Sequence, residues 1–460
     1  MHHSAFMRIR KVTVTGLFGM FDHSIPFNLD ERVTIIHGPN GYGKTVVLSM
    51  LDGLLRGNYS LMRQVPFSTF EIEYEDGKVL GVEKKASQHG GDRKRHRKAL
   101  HELFAFERTK EGKVQRHNLD SEKGMYREQE RLHLTDLISE MLPFLHRASP
   151  FTWRSLDTGE LLSLEAVIER WGDQFPGSFV EDLRRQVAPP WLHELRDRTG
   201  VRLIQAQRLQ EYPSGERSRL RPEQPISTAL KYSNEIAKEA QSVLARYAAR
   251  SQDLDRTFPT RLLEQDEKPE TALSAEDVTV RLKELESERE RLIELGILER
   301  EAGLTQAPPE VVTKRNDVLS VYVNDVKEKF KVLEELAQKV GLLTRILNKR
   351  FLYKKMQVRP DKGFVFTSKV GAEISPSDLS SGEQHELILF YELLFKVKRD
   401  WLVLIDEPEI SLHIAWQNNF LEDLLEIVSL SGIDVVFATH SPAIIGEHWN
   451  LTVELKPPHS

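Results

Sequence analysis

The stretch IIHGPNGYGKTVV, Ile35 to Val47, decides the fold class. Arg32 to His37 reads as a short apolar strand carrying Val33, Ile35 and Ile36. Gly38, Pro39, Asn40, Gly41, Tyr42, Gly43, Lys44 and Thr45 then complete the pattern G-x-x-x-x-G-K-T. Glycines let a backbone curl until its N–H groups face one point. Val46 to Leu55 reads as a helix whose positive N-terminal end faces that same point. Lys44 then reaches the outer phosphates of a nucleotide, and Thr45 offers a hydroxyl to Mg²⁺. The motif implies a nucleotide without saying what the nucleotide drives.

Three downstream segments narrow the reading. WLVLIDEP, Trp401 to Pro408, is a buried strand that delivers Asp406 at its carboxyl end, where a parallel sheet keeps its ligand. Asp406 is placed to orient Mg²⁺, and Glu407 to polarise a water for attack on the terminal phosphate. DLSSGEQHELILF, Asp378 to Phe390, sets Ser380, Ser381 and Gly382 at a helix entrance, a second nest for an anion. VVFATHSP, Val435 to Pro442, is another apolar strand, ending at Thr439 and His440. His440 is read as a contact to the terminal phosphate or to the attacking water.

Taken in this order, the segments resemble the ATP-binding cassette family: phosphate loop, signature, paired-acid strand and histidine switch. LSSGE departs from the usual L-S-G-G signature by placing Ser381 at the first glycine. EPEISLH, Glu407 to His413, resembles the family's dimer-facing loop, with Ser411, Leu412 and His413. The resemblance implies ATP and Mg²⁺ as cofactors, ATP hydrolysis, and a head-to-head dimer in which Ser380 of one copy caps the phosphate held by Lys44 of the other. For the family's glutamine loop, VRLIQAQRLQ offers Gln205 and Gln207 in an open register, with Arg208 as a phosphate or DNA-backbone contact.

Lys44 and Ser380 stand 336 residues apart. That interruption, and IRKVTVTGLFGMFDHSIPF at Ile9 to Phe27 with its Phe-Gly turn, resemble the chromosome-maintenance (SMC), RecF and RecN group, whose heads are split around a coiled-coil arm. The expected architecture is an α/β P-loop ABC ATPase head with an adjoining antiparallel β subdomain, a helical insertion and a short antiparallel coiled-coil arm. Its expected divisions are 1–125 (first half of the head with the β subdomain), 126–272 (helical lobe and glutamine-loop region), 273–351 (arm or compact helical lobe) and 352–460 (second half of the head).

Local patterns fill in this outline. FEIEYEDGKVLGVEKK turns at Asp76-Gly77, and LFAFERTKEGKVQRHNL turns near Glu111-Gly112; both read as hairpins. Residues 127–198 read as mostly helical, broken by Pro143, Pro150, Pro176 and Pro189-Pro190. Ser274 to Arg300 carries a partial stripe of Leu282, Leu285, Leu292 and Leu295. Val311 to Phe351 carries Val326, Phe330, Leu333, Leu336 and Val340, so two helices of roughly 40–60 Å are expected, joined through EAGLTQAPPE.

Composition closes off other classes. Cysteine is absent from the 460 residues, which excludes disulfides, thiolate zinc and cysteine nucleophiles and fits a reducing, cytoplasmic setting. No run approaches eighteen apolar residues, and Met1 to Arg10 has no secretory pattern, so no membrane partner is expected. Net charge is only -6, so nucleic-acid binding would need a local patch. Lys84, Lys85, Arg93, Lys94, Arg95, Arg97 and Lys98 supply one, suited to the phosphates of double-stranded DNA without base specificity.

Twenty residues follow His440, which leads us to expect no nuclease domain at this end. The layout and LIQAQRL resemble the antiphage-defence ATPases of the PARIS and Septu systems. That resemblance implies a sensor or scaffold controlling a separate effector nuclease, released by a phage-encoded trigger. A RecF-like DNA-repair clamp and a nucleotide-gated scaffold without turnover remain alternatives.

Overall fold

The computed structural model describes residues 6–86, 101–119, 128–142, 144–155, 159, 161–164, 167, 189–204, 210–211, 226–267, 273–300, 312, 314–411 and 414–457. Two compact units emerge: one of residues 1–207, 212–224 and 397–460, the other of 208–211 and 225–396.

Alternation of apolar and polar side chains builds the first sheet. Strands β1 (Ile9–Leu17) and β2 (Phe21–Pro26) pair antiparallel across the Phe-Gly turn, and every second residue of β2 is buried. β3 (Val33–His37) leads through the glycine loop into helix α1 (Lys44–Arg56). β4 (Thr69–Tyr74), β5 (Val79–Ala86), β6 (His101–Arg108) and β7 (Val114–Asn118) return to the first sheet, in the order β2-β1-β4-β5-β6-β7. Both expected hairpins form, with Gly77 (φ 86°) and Gly112 (φ 83°) in left-handed turn positions.

The next stretch departs from the sequence reading. Helix α2 (Glu128–Met141) is followed by a small antiparallel sheet of β8 (Leu145–Ser149), β9 (Thr152–Ser155) and β10 (Leu161–Ser163), where helix was expected. Trp153, Leu162 and Leu145 pack on Leu134, Ile138 and Leu142 of the helical side, so tertiary burial stabilises strands too short to carry a clear period. Pro150 lies between β8 and β9, at a hairpin turn, where it had been read as a helix break. Helix α3 (Pro190–Asp197) and β11 (Val201–Ile204) complete this part of the unit.

The second unit is organised by long helices. α4 (Thr228–Glu267) has 40 residues, about 60 Å at 1.5 Å each, and contains Pro259. α5 (Ala275–Glu294) starts at Ser274, whose side chain accepts the Asp277 N–H, and α6 (Asn316–Lys331) packs between α5 and α4. Val278, Val312 and Val323 form their small core, flanked by Leu282, Leu285 and Leu319. Arg261 on α4 grips both oxygens of Asp325 on α6. α4 belongs to the 126–272 division that the sequence marks as a helical lobe, and α6 of the following division packs against it. The long run expected from 311 to 351 is broken at Val332 and Leu333, before α7 (Glu334–Arg350). α5 and α6, with 20 and 16 residues, are shorter than expected, and EAGLTQAPPE lies outside the described residues. Strands β12 (Lys354–Arg359), β13 (Gly363–Ser368) and β14 (Glu373–Ile374) form an antiparallel sheet before α8 (Ser381–Phe395). Residues 352–396, which the sequence reading joined to the head, thus belong to the unit of the long helices.

The chain then re-enters the first unit. β15 (Leu402–Asp406), helix α9 (Phe420–Ser431), β16 (Asp434–Thr439) and the short β17 (Thr452–Glu454) complete a parallel sheet in the order β11-β15-β16-β3-β17. β15 and β16 read as unbroken apolar runs, as strands covered on both faces must. Leu48, Leu51 and Leu54 of α1 share one core with Val12, Phe70 and Ile72 of the first sheet and Leu404 and Val436 of the second. The first unit is thus an α/β fold whose parallel sheet, carrying the phosphate loop, shares a core with an antiparallel sheet, and the second unit combines long helices with a small antiparallel sheet of its own. Among the described residues, no helix is long and apolar enough to cross a membrane.

Candidate nucleotide site

Sheet order positions the site. β16 lies between the loop strand β3 and the acid strand β15, so the residue at the carboxyl end of β16 emerges between the loop and the acids. That residue is His440. Its Nδ1 lies 3.3 Å from Lys44 Nζ, and its Nε2 lies 3.8 Å from Glu407 Oε1.

The loop owes its curl to Gly41 and Gly43, at φ 86° and 87°. A Cβ on Gly43 would come within 2.6 Å of Leu17 Cδ2, so β1 braces the loop from behind. His23 of β2 adds a second brace: its Nε2 lies 2.9 Å from the Tyr42 carbonyl oxygen. Lys44 is buried and donates to the carbonyls of Gly38 (2.7 Å) and Pro39 (3.1 Å) of its own loop. Burial lowers its pKa, opposed by the charges of Glu407, Glu409 and Asp406. Asn40 and Gly41 are exposed at the loop's crest.

Thr45 donates its hydroxyl to Asp406 Oδ1 at 3.1 Å. Burial raises the Asp406 pKa; the Thr45 hydroxyl opposes that shift, while the charges of Glu407 and Glu409 reinforce it. An adjacent hydroxyl and carboxylate oxygen are a hard donor pair, which fits Mg²⁺ completed by phosphate and water. Glu407 comes next at φ 45°, a left-handed conformation costly for a non-glycine residue, and its N–H is held by the Ala438 carbonyl at 3.0 Å. That bend turns the chain sharply at the end of β15, beside His440.

The signature residues lie in the second unit. Ser380 is exposed and caps α8 with a full capping box. Its hydroxyl and its N–H both donate to Glu383 Oε2, at 2.8 and 2.9 Å, and Lys354 Nζ reaches the same oxygen at 2.6 Å. Ser381 is exposed on the first turn, and a Cβ on Gly382 would meet nothing within 4 Å.

Other sequence candidates divide differently. Gln205, Gln207, Arg208, Leu412 and His413 lie outside the described residues, as do Arg93, Lys94, Arg95, Arg97 and Lys98. Lys84 is withdrawn from the expected basic patch: its ammonium donates to the carbonyls of Val65 (2.6 Å) and Arg63 (3.2 Å) over the Phe67 ring. Lys85 is tied to Glu83 at 2.9 Å. Three contributors went unread in the sequence. Lys354 and His23 carry no local signal, whereas Glu409 stood in view inside DEPE, read only as part of a dimer-facing loop.

Solved structures similar to this chain share little sequence with it. The chain is similar to the Smc head domain with an extended coiled coil bound to the C-terminal domain of ScpA from Pyrococcus furiosus, at 12% identity and TM-score 0.32 over 98% of this chain and 94% of that one. It is also similar to the SMC head domain from Thermotoga maritima, at 12% identity and TM-score 0.30 over 95% and 91%. No curated protein matches. A family profile described as "AAA domain, putative AbiEii toxin, Type IV TA system" matches residues 216–446, just over half of the chain. That span holds Ser380, Asp406, Glu407 and His440, with Lys44 and Thr45 before it. The chain belongs to this AAA-domain family.

Proposed function

We propose that the chain binds and hydrolyses ATP and works as the sensor or scaffold subunit of an antiphage-defence complex, assembling head to head and controlling a separate effector nuclease. The observation that carries the hydrolytic reading is the convergence of Lys44, Thr45, Asp406, Glu407 and His440 at the ends of three adjacent parallel strands. In this reading Lys44 leaves the carbonyls of Gly38 and Pro39 to neutralise the outer phosphates. Thr45 and Asp406 hold Mg²⁺, which supplies charge neutralisation when bound. Glu407 takes a proton from the attacking water as the new P–O bond forms and the bond to the leaving phosphate breaks. His440, between Lys44 and Glu407, donates to the terminal phosphate.

The exposed helix entrance at Ser380 supports the composite site, because it already holds one anionic group, the Glu383 carboxylate, whose place a phosphate from a second copy would take. The family description names a toxin of a TA system, which supports a two-component arrangement over a lone enzyme. The test is ATP turnover and native mass for the chain purified from its own cells, with Lys44→Ala and Glu407→Gln beside it. We expect both variants to lose turnover, Glu407→Gln by about 10²–10⁴-fold while still binding ATP, and a nuclease to co-purify. A bare dimer stimulated by gapped DNA would replace the defence reading with a repair clamp.

A further inference from the structure

Glu409 sits two residues past Glu407, on the short 3-10 turn Pro408–Ser411, which the Ile410 N–H closes onto the Glu407 carbonyl at 3.1 Å. From there its Oε1 accepts the backbone N–H of His440 at 2.6 Å. Its Oε2 is buried without a hydrogen-bond partner among the described residues. The β15–β16 ladder ends at the Asp406–Ala438 pair, and β16 itself ends at Thr439. His440 is therefore the first residue beyond the sheet, and its N–H is held by a side chain instead of a strand. A bond to a carboxylate is charge-assisted and stronger than one to a neutral carbonyl. The neighbouring turn is tied in the same manner: Thr439 Oγ1 accepts the Ser441 N–H at 3.0 Å, and the Ser441 hydroxyl donates to Gln417 Oε1 at 2.7 Å.

We propose that Glu409 is a positioning residue for hydrolysis: by holding the His440 amide it fixes the imidazole between Lys44 and Glu407. This rests on the reading of Glu407 and His440 as the hydrolytic pair. Glu409 acts through the backbone of His440, so an isosteric neutral acceptor at 409 preserves its role, and removal of the side chain does not.

Two readouts test it on the full chain. In hydrogen–deuterium exchange, the His440 amide exchanges about tenfold faster or more in Glu409→Ala than in the unaltered protein, and close to the unaltered rate in Glu409→Gln. In steady-state turnover, Glu409→Ala lowers kcat by about ten- to a hundredfold at nearly unchanged KM, Glu409→Gln restores most of it, and Glu409→Ala adds no further loss in a His440→Ala background. Unchanged exchange in Glu409→Ala, a Gln variant as poor as the Ala variant, or an undiminished loss in the His440→Ala background overturns the proposal. Full turnover by Glu407→Gln would instead remove the hydrolytic reading, and the exchange experiment would still decide whether Glu409 holds His440.

Discussion

His23 shows how a side chain outside every motif can govern one. It is buried on β2, stacks on Phe21 with ring centroids 5.6 Å apart, and donates from Nε2 to the Tyr42 carbonyl of the phosphate loop. Burial holds the imidazole below its ordinary value of 6.5, opposed by the Tyr42 hydrogen bond and the charge of Asp22. As pH falls, the unfolded chain takes up this proton first, so the neutral folded form is fully favoured above about 6.5 and loses stability as pH drops toward the depressed folded value. We expect the thermal midpoint to fall more steeply between about pH 7 and pH 5 in the unaltered protein than in His23→Gln, whose amide can still donate to Tyr42. Parallel pH curves for the two proteins would refute the coupling. The contrast with Lys44 is instructive. A phosphate loop is legible because eight consecutive residues dictate their own backbone, whereas the link from His23 to Tyr42 exists only once two separate strands have packed. The contact between Glu409 and His440, 31 positions apart, is hidden in the sequence for the same reason.

Among the elements, those with a strict local code were legible. Asp76-Gly77 and Glu111-Gly112 placed two hairpins, and the apolar runs before Asp406 and His440 placed two parallel strands. α4 lies inside the 126–272 division read as a helical lobe, but its own bounds were not legible, because its surface is largely polar and Pro259 stands inside it. α8 is the opposite case: its span from Glu386 to Leu394 is buried on every side. Two acids interrupt that apolar surface. Glu386 pairs with Arg350 of α7 at 2.6 Å with almost no exposure on either side, and Glu392 accepts the Tyr232 hydroxyl of α4 at 2.5 Å. Removing one member of a buried pair strands the other charge, so Arg350→Met is expected to cost about 3–5 kcal/mol in denaturant unfolding. The double change Arg350→Met with Glu386→Leu replaces the pair by apolar contacts and is expected to recover most of that loss. A double variant as unstable as the single one would mean that α8 depends on the pair for more than charge balance.

At the scale of the whole molecule, the question is whether one chain suffices. Lys44, Thr45, Asp406, Glu407 and His440 come together in one unit, while Ser380 opens a helix in the other, with its hydroxyl occupied by Glu383 and Glu383 itself neutralised by Lys354. If Ser380 serves a phosphate bound by a second copy, the two halves of a site can be separated by mutation and rejoined by mixing. Lys44→Ala removes the phosphate-binding half and keeps the signature. Ser380→Arg blocks the signature, loses a cap worth about 1 kcal/mol to helix stability, and keeps the phosphate loop. Each variant alone is expected to be inactive, the second while still binding ATP with nearly unchanged affinity. A two-fold dimer formed from an equal mixture is mixed half the time, and each mixed pair holds one intact site, so turnover is expected to return to about a quarter of the unaltered rate. Native mass in the presence of ATP should register the same mixed dimer. A mixture that neither assembles nor hydrolyses ATP, or a Ser380→Arg chain active by itself, would place the whole catalytic apparatus within a single head.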